Sequence, residues 1–332
     1  MTPPFDPALS LGPLTPGDRV AVVAPAGPTA AEYSHRAAAV LSSWGLQPVI
    51  FPGVSAAHPG AAYLSGPDHQ RAQDFEDAWC DPTIAGIFAL RGGYGSIRIL
   101  DLLDVDRMRA ARPKPCYGSS DVTALHEWLR EQLGVASWFT PMLGMESILA
   151  DREAVDSLRV AALEGLEGRR WTARAAEVLS PGTVTGTLIG GNLSLLAMTL
   201  GARGRPPLDH RGTIVLLEDV TEDTYRIDGY LTSLLRAGWF DEVAGIALGS
   251  WLSCGPLDQI RALCLELLGP LQVPMVWELG FGHGPAAHSI PLGCPATLVA
   301  EPGSVPQLVF ASPEQTAVPA VDDPVASEAL GD

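Results

Sequence analysis

Residues Ile84 to Leu90 form a near-continuous apolar run, and Arg91-Gly92-Gly93-Tyr94-Gly95 follows it at once. A short run with no polar alternation, followed by glycines, reads as a strand buried on both faces. Such a strand needs helices on either side, and its neighbours supply them. Arg19 to Val23 is a short apolar strand that ends in Ala24-Pro25-Ala26-Gly27-Pro28. Thr29 caps a helix that runs to about Trp44 and stops at Gly45; Gln47 to Phe51 is a strand and His69 to Cys80 a helix. Pro113 to Tyr117 is extended, and Val122, Leu125, Leu129 and Leu133 then recur at helical spacing. This alternation predicts an α/β fold built on a parallel, doubly wound sheet, with its chemistry beyond the C-terminal ends of the strands. Gly92-Gly93 and Ser120 both stand at such ends.

The second half has a different texture. Thr183 to Ile189, Thr213 to Leu217, Val243 to Trp251 and Val273 to Leu279 read as strands, with a long helix over about 221–236 and another over about 257–268. Pro295 to Val299 and Val305 to Phe310 form a closing hairpin around Pro302-Gly303. The expected organisation is an arm over 1–16, a first domain over 17–165, a linker over 166–180, a β-rich α/β domain over 181–311 and a disordered tail over 312–332.

Charge and composition narrow the function. A net charge of −17 argues against sequence-independent nucleic-acid binding, which needs a basic surface. No apolar run approaches the length of a membrane span, and residues 1–16 lack the order of a signal peptide, so a soluble cytoplasmic protein is expected. The five cysteines are scattered and form no Cys-x-x-Cys pair, which suggests neither a disulfide framework nor a zinc site. Lys114 is the chain's single lysine and lies between two prolines. The dinucleotide fingerprint fails because Arg98 fills the third glycine position after Gly93-x-Gly95.

The chemistry concentrates at Tyr117-Gly118-Ser119-Ser120-Asp121-Val122-Thr123. A hydroxyl on a strand-to-helix turn is exposed, and the free N–H groups of the helix's first turn can stabilise an anion beside it. The stretch is half of a nucleophile elbow, with Val122 in place of the last glycine. Ser119 or Ser120 could equally serve as a helix cap. A nucleophile needs a base and an orienting carboxylate. Of the seven histidines, His283 in the loop Phe281-Gly282-His283-Gly284 is the leading candidate and His288 the next; His126 is expected to point away from the turn. Glu218 closes the strand Thr213–Leu217, whereas Asp219 and Glu222 fit a capping box. Gly92-Gly93 can present N–H groups to a ligand or make a tight turn.

Taken together, these blocks resemble the murein LD-carboxypeptidases, serine peptidases that include the microcin-C immunity hydrolases. The resemblance runs from about Gly17 to Phe310. It rests on Gly17-Asp18-Arg19 through Pro25, Arg91–Gly95, Ser120–His126, Gly190-Gly191-Asn192-Leu193, Leu217-Glu218-Asp219 with Tyr225–Asp228, and Gly282-His283 with Ile290–Gly293. It implies Ser120 as nucleophile, Glu218 as orienting acid, and His283, eight residues before Pro291, as base. It implies oxyanion donors from one glycine of Gly92-Gly93 and from Asp121. A flavodoxin-like first domain, a β-rich second domain, a site between them, a homodimer and no cofactor or metal follow from the same resemblance. The substrate implied is a murein tetrapeptide, cut before its terminal D-alanine, and Arg91 is a candidate for the substrate carboxylate. Two departures stand out: Gly118-Ser119 separates Tyr117 from Ser120, and Thr140-Pro141 stands where the family has Gly-Pro. The rival readings are hydrolysis of an aminoacyl-nucleotide amide and a non-catalytic peptide-binding protein on the same fold.

Overall fold

The computed structural model describes residues 10–310 except 167, 203, 207 and 208. The expected tail at 312–332 lies outside the described residues, as do residues 1–9 of the arm. The first-half strands are β1 (Arg19–Val23), β2 (Gln47–Ile50), β3 (Ile84–Ala89), β4 (Cys116–Gly118) and β5 (Ser137–Phe139). The later ones are β6 (Arg170–Trp171), β7 (Glu177–Ser180), β8 (Gly182–Asn192), β9 (Thr213–Val220), β10 (Gly245–Leu252), β11 (Met275–Trp277), β12 (Ile290–Leu292), β13 (Pro295–Ala300) and β14 (Gln307–Val309). Among the described residues they form two sheets, ordered β12-β5-β4-β3-β1-β2 and β6-β14-β13-β8-β9-β10-β11-β7.

Strands β1 to β5 are parallel in the order 2-1-3-4-5, the flavodoxin-like winding that the family resemblance implied. Connections after β1 and β3 leave in opposite directions, so a crevice opens at their C-terminal ends. Gly27 follows β1 there, Arg91 to Gly93 follow β3, and Ser119-Ser120 follow β4. The flanking helices are α1 (Ala31–Ser43), α2 (Asp68–Cys80), α3 (Val105–Ala110) and α4 (Thr123–Trp128). Helices α5 (Glu146–Leu149) and α6 (Arg152–Leu163) follow β5. The run Ile84–Leu90 is buried apart from half-buried Ala85, as its composition requires.

The second sheet has a parallel centre, β8 to β11, with antiparallel strands at both edges. Helices α7 (Leu193–Met198), α8 (Thr224–Arg236) and α9 (Leu257–Leu268) cover it. The halves interlock. Strand β12, late in the chain, pairs antiparallel with β5 in the first sheet. The Phe139 and Phe281 rings meet edge to face at 6.2 Å, and one apolar core runs from Val20 through Phe139 to Leu298.

Four local expectations change. Residues 166–180 are not simply a linker: they supply β6 and β7, whose backbone groups find partners on opposite edges of the second sheet. The arm is packed over its described part, because Leu11 and Leu14 are buried and Leu14 N–H donates to Ala162 O at 2.7 Å. Helix α1 starts after Ala30, with no cap from Thr29. Asp219 does not cap α8, whose N-cap residue is Asp223; its carboxylate is used elsewhere.

Candidate active site

Ser119 is extended, and Ser120 turns into the left-handed region at φ +57° before a short 3-10 turn leads into α4. That conformation costs a non-glycine residue on the order of 1 kcal/mol and persists only where its surroundings impose it. Gly92 is one such constraint. A Cβ on Gly92 would stand 2.7 Å from Ser120 Cβ, 2.9 Å from its Oγ and 3.2 Å from Asp121 N. Only glycine lets the loop after β3 approach Ser120 and the Asp121 nitrogen so closely.

The Asp121 side chain fixes that arrangement. It is fully buried, and its oxygens accept from Gly95 N–H at 3.2 Å and Ser96 N–H at 2.7 Å. Burial raises the pKa of its carboxyl despite these bonds. Buried Arg71 donates to Gly95 O at 2.8 Å and to Gly66 O at 3.1 Å, and also to Pro25 O. Gly27 N–H donates to Gly92 O at 3.0 Å. The glycine loop is therefore tied to the Ser120 turn through Asp121 and to the β1 loop through Arg71 and Gly27.

Beneath the turn, His126 departs from expectation. Its ring does not point away: Nε2 lies 2.9 Å from Gly118 O. Burial lowers its pKa to about 4, so the neutral ring donates through Nε2–H. Its Nδ1 has no partner. The carbonyl that Nε2 meets belongs to Gly118, the last residue of β4.

Glu218 does not close its strand as expected but lies inside β9, which runs on to Val220, and it is 0% exposed. Its Oε2 lies 2.6 Å from His283 Nδ1, and its Oε1 accepts from Asn192 Nδ2 at 3.2 Å. Against an ionised carboxylate, Nδ1 carries the proton and Nε2 is left as the basic nitrogen. Burial alone would lower the His283 pKa; the Glu218 charge and hydrogen bond outweigh it and raise it. The loop reaches Glu218 because Gly282 has φ +111° and no side chain: a Cβ there would stand 2.8 Å from Glu218 Oε2 and 2.6 Å from Ser250 Oγ.

Sequence reasoning missed several supports. Ser250 Oγ accepts from both His283 N–H and Gly284 N–H at 2.9 Å. The Asp219 carboxylate accepts from Asn192 Nδ2 and Ser194 N–H, each at 2.9 Å. Burial and the neighbouring Glu218 charge push its pKa up to about 6. Asn192 caps α7, and its N–H donates to Thr123 Oγ1 on α4 at 3.0 Å. Gly190-Gly191-Asn192 carried a local signal, a helix start; Ser250, inside a strand, carried none.

Ser120 and His283 line one cavity of about 570 Å³ with Arg91, Gly92, Gly93 and Met145. Among the described residues the serine and histidine are not hydrogen-bonded to each other; such contacts often tighten only when substrate binds. Arg91 reaches this cavity while donating to Pro28 O at 2.9 Å. His288 is held outside it by Thr172 O at 2.9 Å. Lys114 is committed to Ala78 O and Asp81 O, near the opposite ends of the strands. Glu127, Glu131 and His210 offer ligand atoms within 4.8 Å of one another. Their carboxylates are already paired, with Arg205 at 3.1 and 2.7 Å and with Arg130 at 2.8 and 3.2 Å, so the cluster reads as an ion-pair network.

The arrangement offers a hydroxyl on a glycine-flanked turn and an imidazole backed by a buried carboxylate on one cavity. The chain is similar to known proteins over most of its length. Residues 20–140 match the LD-carboxypeptidase N-terminal domain and residues 185–298 the LD-carboxypeptidase C-terminal domain. A Streptomyces coelicolor protein with a provisional carboxypeptidase name is 45% identical over 88% of this chain and 94% of its own. The murein tetrapeptide carboxypeptidase of Pseudomonas aeruginosa is 31% identical over 84% of this chain and 92% of its own. Among solved structures, the muramoyltetrapeptide carboxypeptidase from Oxalobacter formigenes has a TM-score of 0.74 at 25% identity, over 89% of this chain and 99% of its own. MccF in complex with glutamyl sulfamoyl guanosine shares the fold, with a TM-score of 0.79 at 21% identity over 92% and 98%.

Proposed function

This chain belongs to the LD-carboxypeptidase family, and from that membership we propose that it removes the terminal D-alanine of a murein tetrapeptide with Ser120, His283 and Glu218. The observation that carries this reading is the buried Glu218 Oε2 held 2.6 Å from His283 Nδ1, with His283 on the cavity that Ser120 also lines.

Each group has one task. His283 Nε2 takes the Ser120 proton as Oγ attacks the amide carbonyl of the L-centred residue, diaminopimelate or lysine. Glu218 fixes the tautomer and stabilises the imidazolium that forms. The carbonyl oxygen, now an anion, faces the N–H groups of Asp121 and the Gly92-Gly93 pair; one such donor is worth about 10²–10³ in rate. The imidazolium then protonates the alanine nitrogen as the C–N bond breaks. Water, deprotonated by the same His283, hydrolyses the acyl-enzyme. Arg91 would hold a substrate carboxylate. Every proton-transfer step uses groups of this chain, with no cofactor called for.

Among the described residues no helix is long and apolar enough to cross a membrane. A cytoplasmic role in cell-wall recycling, and a homodimeric state, belong to the same proposal; they rest on the resemblance, and size-exclusion chromatography with light scattering tests the dimer.

The direct test is mass spectrometry of a murein tetrapeptide incubated with the protein. Loss of one alanine is expected, and an intact tetrapeptide refutes the reading. An aminoacyl sulfamoyl-adenosine run in parallel tests the second reading, which the MccF-like fold keeps in view. The murein-named relative at 31% identity favours the first.

A further inference from the structure

The backbone that leads into Ser120 is held at both of the peptide planes directly before it. The nearer plane, between Ser119 and Ser120, is fixed locally: Ser119 O accepts from Val122 N–H at 3.0 Å. The farther plane, between Gly118 and Ser119, is fixed at its carbonyl oxygen by two donors from separate elements. Thr140 N–H, just past β5, lies 2.9 Å from Gly118 O, and so does His126 Nε2, on α4. Gly118 is also closely packed, since a Cβ there would meet Val122 at 2.8 Å and Ala89 at 3.2 Å.

The two donors are not equivalent. Thr140 supplies a backbone N–H, which any residue but proline would provide, and that bond alone satisfies the buried carbonyl. His126 supplies a side chain, and at a cost. The residue is 2% exposed, and its Nδ1 finds no partner among the described residues. Burial lowers the pKa of the ring to about 4, so it stays neutral. A phenylalanine there, beside Phe139, would leave no polar atom unpaired. An imidazole in such a place is explained by what its Nε2–H does, not by packing.

With both planes fixed, the φ and ψ of Ser119 are set and the Ser120 Cα is placed. The left-handed turn at Ser120, φ +57°, persists only where its surroundings over-determine it. Asp121 constrains the turn from behind, through Gly95 and Ser96. The Gly118 carbonyl constrains it from in front.

We propose that His126 is a positioning residue: its Nε2–H, bonded to Gly118 O, holds the segment before Ser120 so that the strained turn keeps the hydroxyl in place. Its ring nitrogens bond none of the candidate reacting groups. The kinetic part of this proposal rests on the hydrolase reading above, and the conformational part does not.

Two variants test it. His126→Phe removes the donor and keeps a ring; His126→Gln puts an amide N–H in place of Nε2–H. In His126→Phe, kcat for alanine release from the tetrapeptide should fall about tenfold, the worth of one hydrogen bond, with KM unchanged. The melting temperature should stay close to wild type, because Gly118 O keeps Thr140 N–H. His126→Gln should restore most of the lost rate. Wild-type kcat in His126→Phe overturns the proposal, as does an equal loss in both variants or a loss confined to KM. Failure of His126→Phe to fold would make the bond a requirement of the fold and also overturn it. Two measurements need no substrate. Nitrogen NMR of the wild type should find the His126 proton on Nε2 at neutral pH, and a proton on Nδ1 removes the bond on which the proposal stands. Amide hydrogen exchange over residues 119–122 should be faster in His126→Phe and return towards wild type in His126→Gln. A wild type that releases no alanine refutes the hydrolase reading alone. Positioning by His126 then stands if the exchange pattern holds, and falls if the three proteins exchange alike.

Discussion

His283 Nδ1 lies 2.6 Å from Glu218 Oε2 across 65 residues of chain. A strand and a loop make that contact possible. Glu218 lies two residues before the end of β9 in the second sheet, and Gly282 removes the side chain that would otherwise collide with it. The pair also touches the first half indirectly, because Asn192 bonds both Glu218 and, through its N–H, Thr123 on the helix that follows the Ser120 turn.

Ser120→Ala should lower kcat by about 10³-fold or more with an unchanged melting temperature. Ser119→Ala, on the extended residue before it, should retain activity within a few-fold. Steady-state release of alanine from the tetrapeptide distinguishes them. Loss in Ser119→Ala but not in Ser120→Ala would reassign the nucleophile.

The His283 pKa is raised above 6.5, with burial opposing and Glu218 prevailing. A base must be unprotonated, so kcat/KM should rise with pH along an acidic limb that lies above about 6.5. In Glu218→Gln the attraction is gone and burial remains, so the limb should move to lower pH while kcat falls by about 10³–10⁴-fold. A pH–rate profile with an unmoved limb in that variant would dissociate Glu218 from His283. Stability carries the matching sign. The contribution of the ion pair is fully present below the unfolded value near 6.5 and is lost as pH rises through the raised native one. Urea melts of wild type and His283→Gln should therefore differ more at pH 6 than at pH 9.

Gly92→Ala should act on chemistry more than on stability. Its new methyl would meet Ser120 Cβ at 2.7 Å, so the serine or the donor loop must shift. A loss of about 10²-fold in kcat is expected, with circular dichroism and melting temperature close to wild type. Full activity in this variant would remove the loop from the oxyanion role.

Asp121→Ala leaves the buried N–H groups of Gly95 and Ser96 without their acceptor. Each orphaned group costs about 1–3 kcal/mol, so chemical denaturation should show a loss of a few kcal/mol. Asp121→Asn, which keeps one acceptor oxygen, should recover part of it. Ser250→Ala should show a smaller stability loss but a selective fall in kcat, since His283 and Gly284 lose one shared acceptor.

Arg205→Ala removes the cation that bridges Glu127 and Glu131 from the second half of the chain. One of those carboxylates is deeply buried, and breaking such a pair typically costs about 3 kcal/mol or more. Equilibrium unfolding measures the change. An unaltered midpoint would mean that Arg130 alone suffices.

What could be read before folding was whatever leaves a local trace. The double-faced apolar run Ile84–Leu90 fixed a buried parallel strand, and Gly92-Gly93 and the Ser120 turn marked strand ends where ligands gather. Gly282-His283-Gly284 and the end of β9 stood out for the same reason: glycine freedom and a strand terminus are properties of a few adjacent residues. The three-dimensional packing decided what depends on distant backbone. His126 bonds Gly118 O at the end of β4, eight residues before it in the chain. Asp219 serves Asn192 and Ser194 instead of α8, residues 170–180 become edge strands once partners from positions 275–309 reach them, and Ser250 gains its role when the His283 loop arrives. These are contacts between segments far apart in sequence. Their partners exist only after chain closure, so nothing in the residues beside them records the bond.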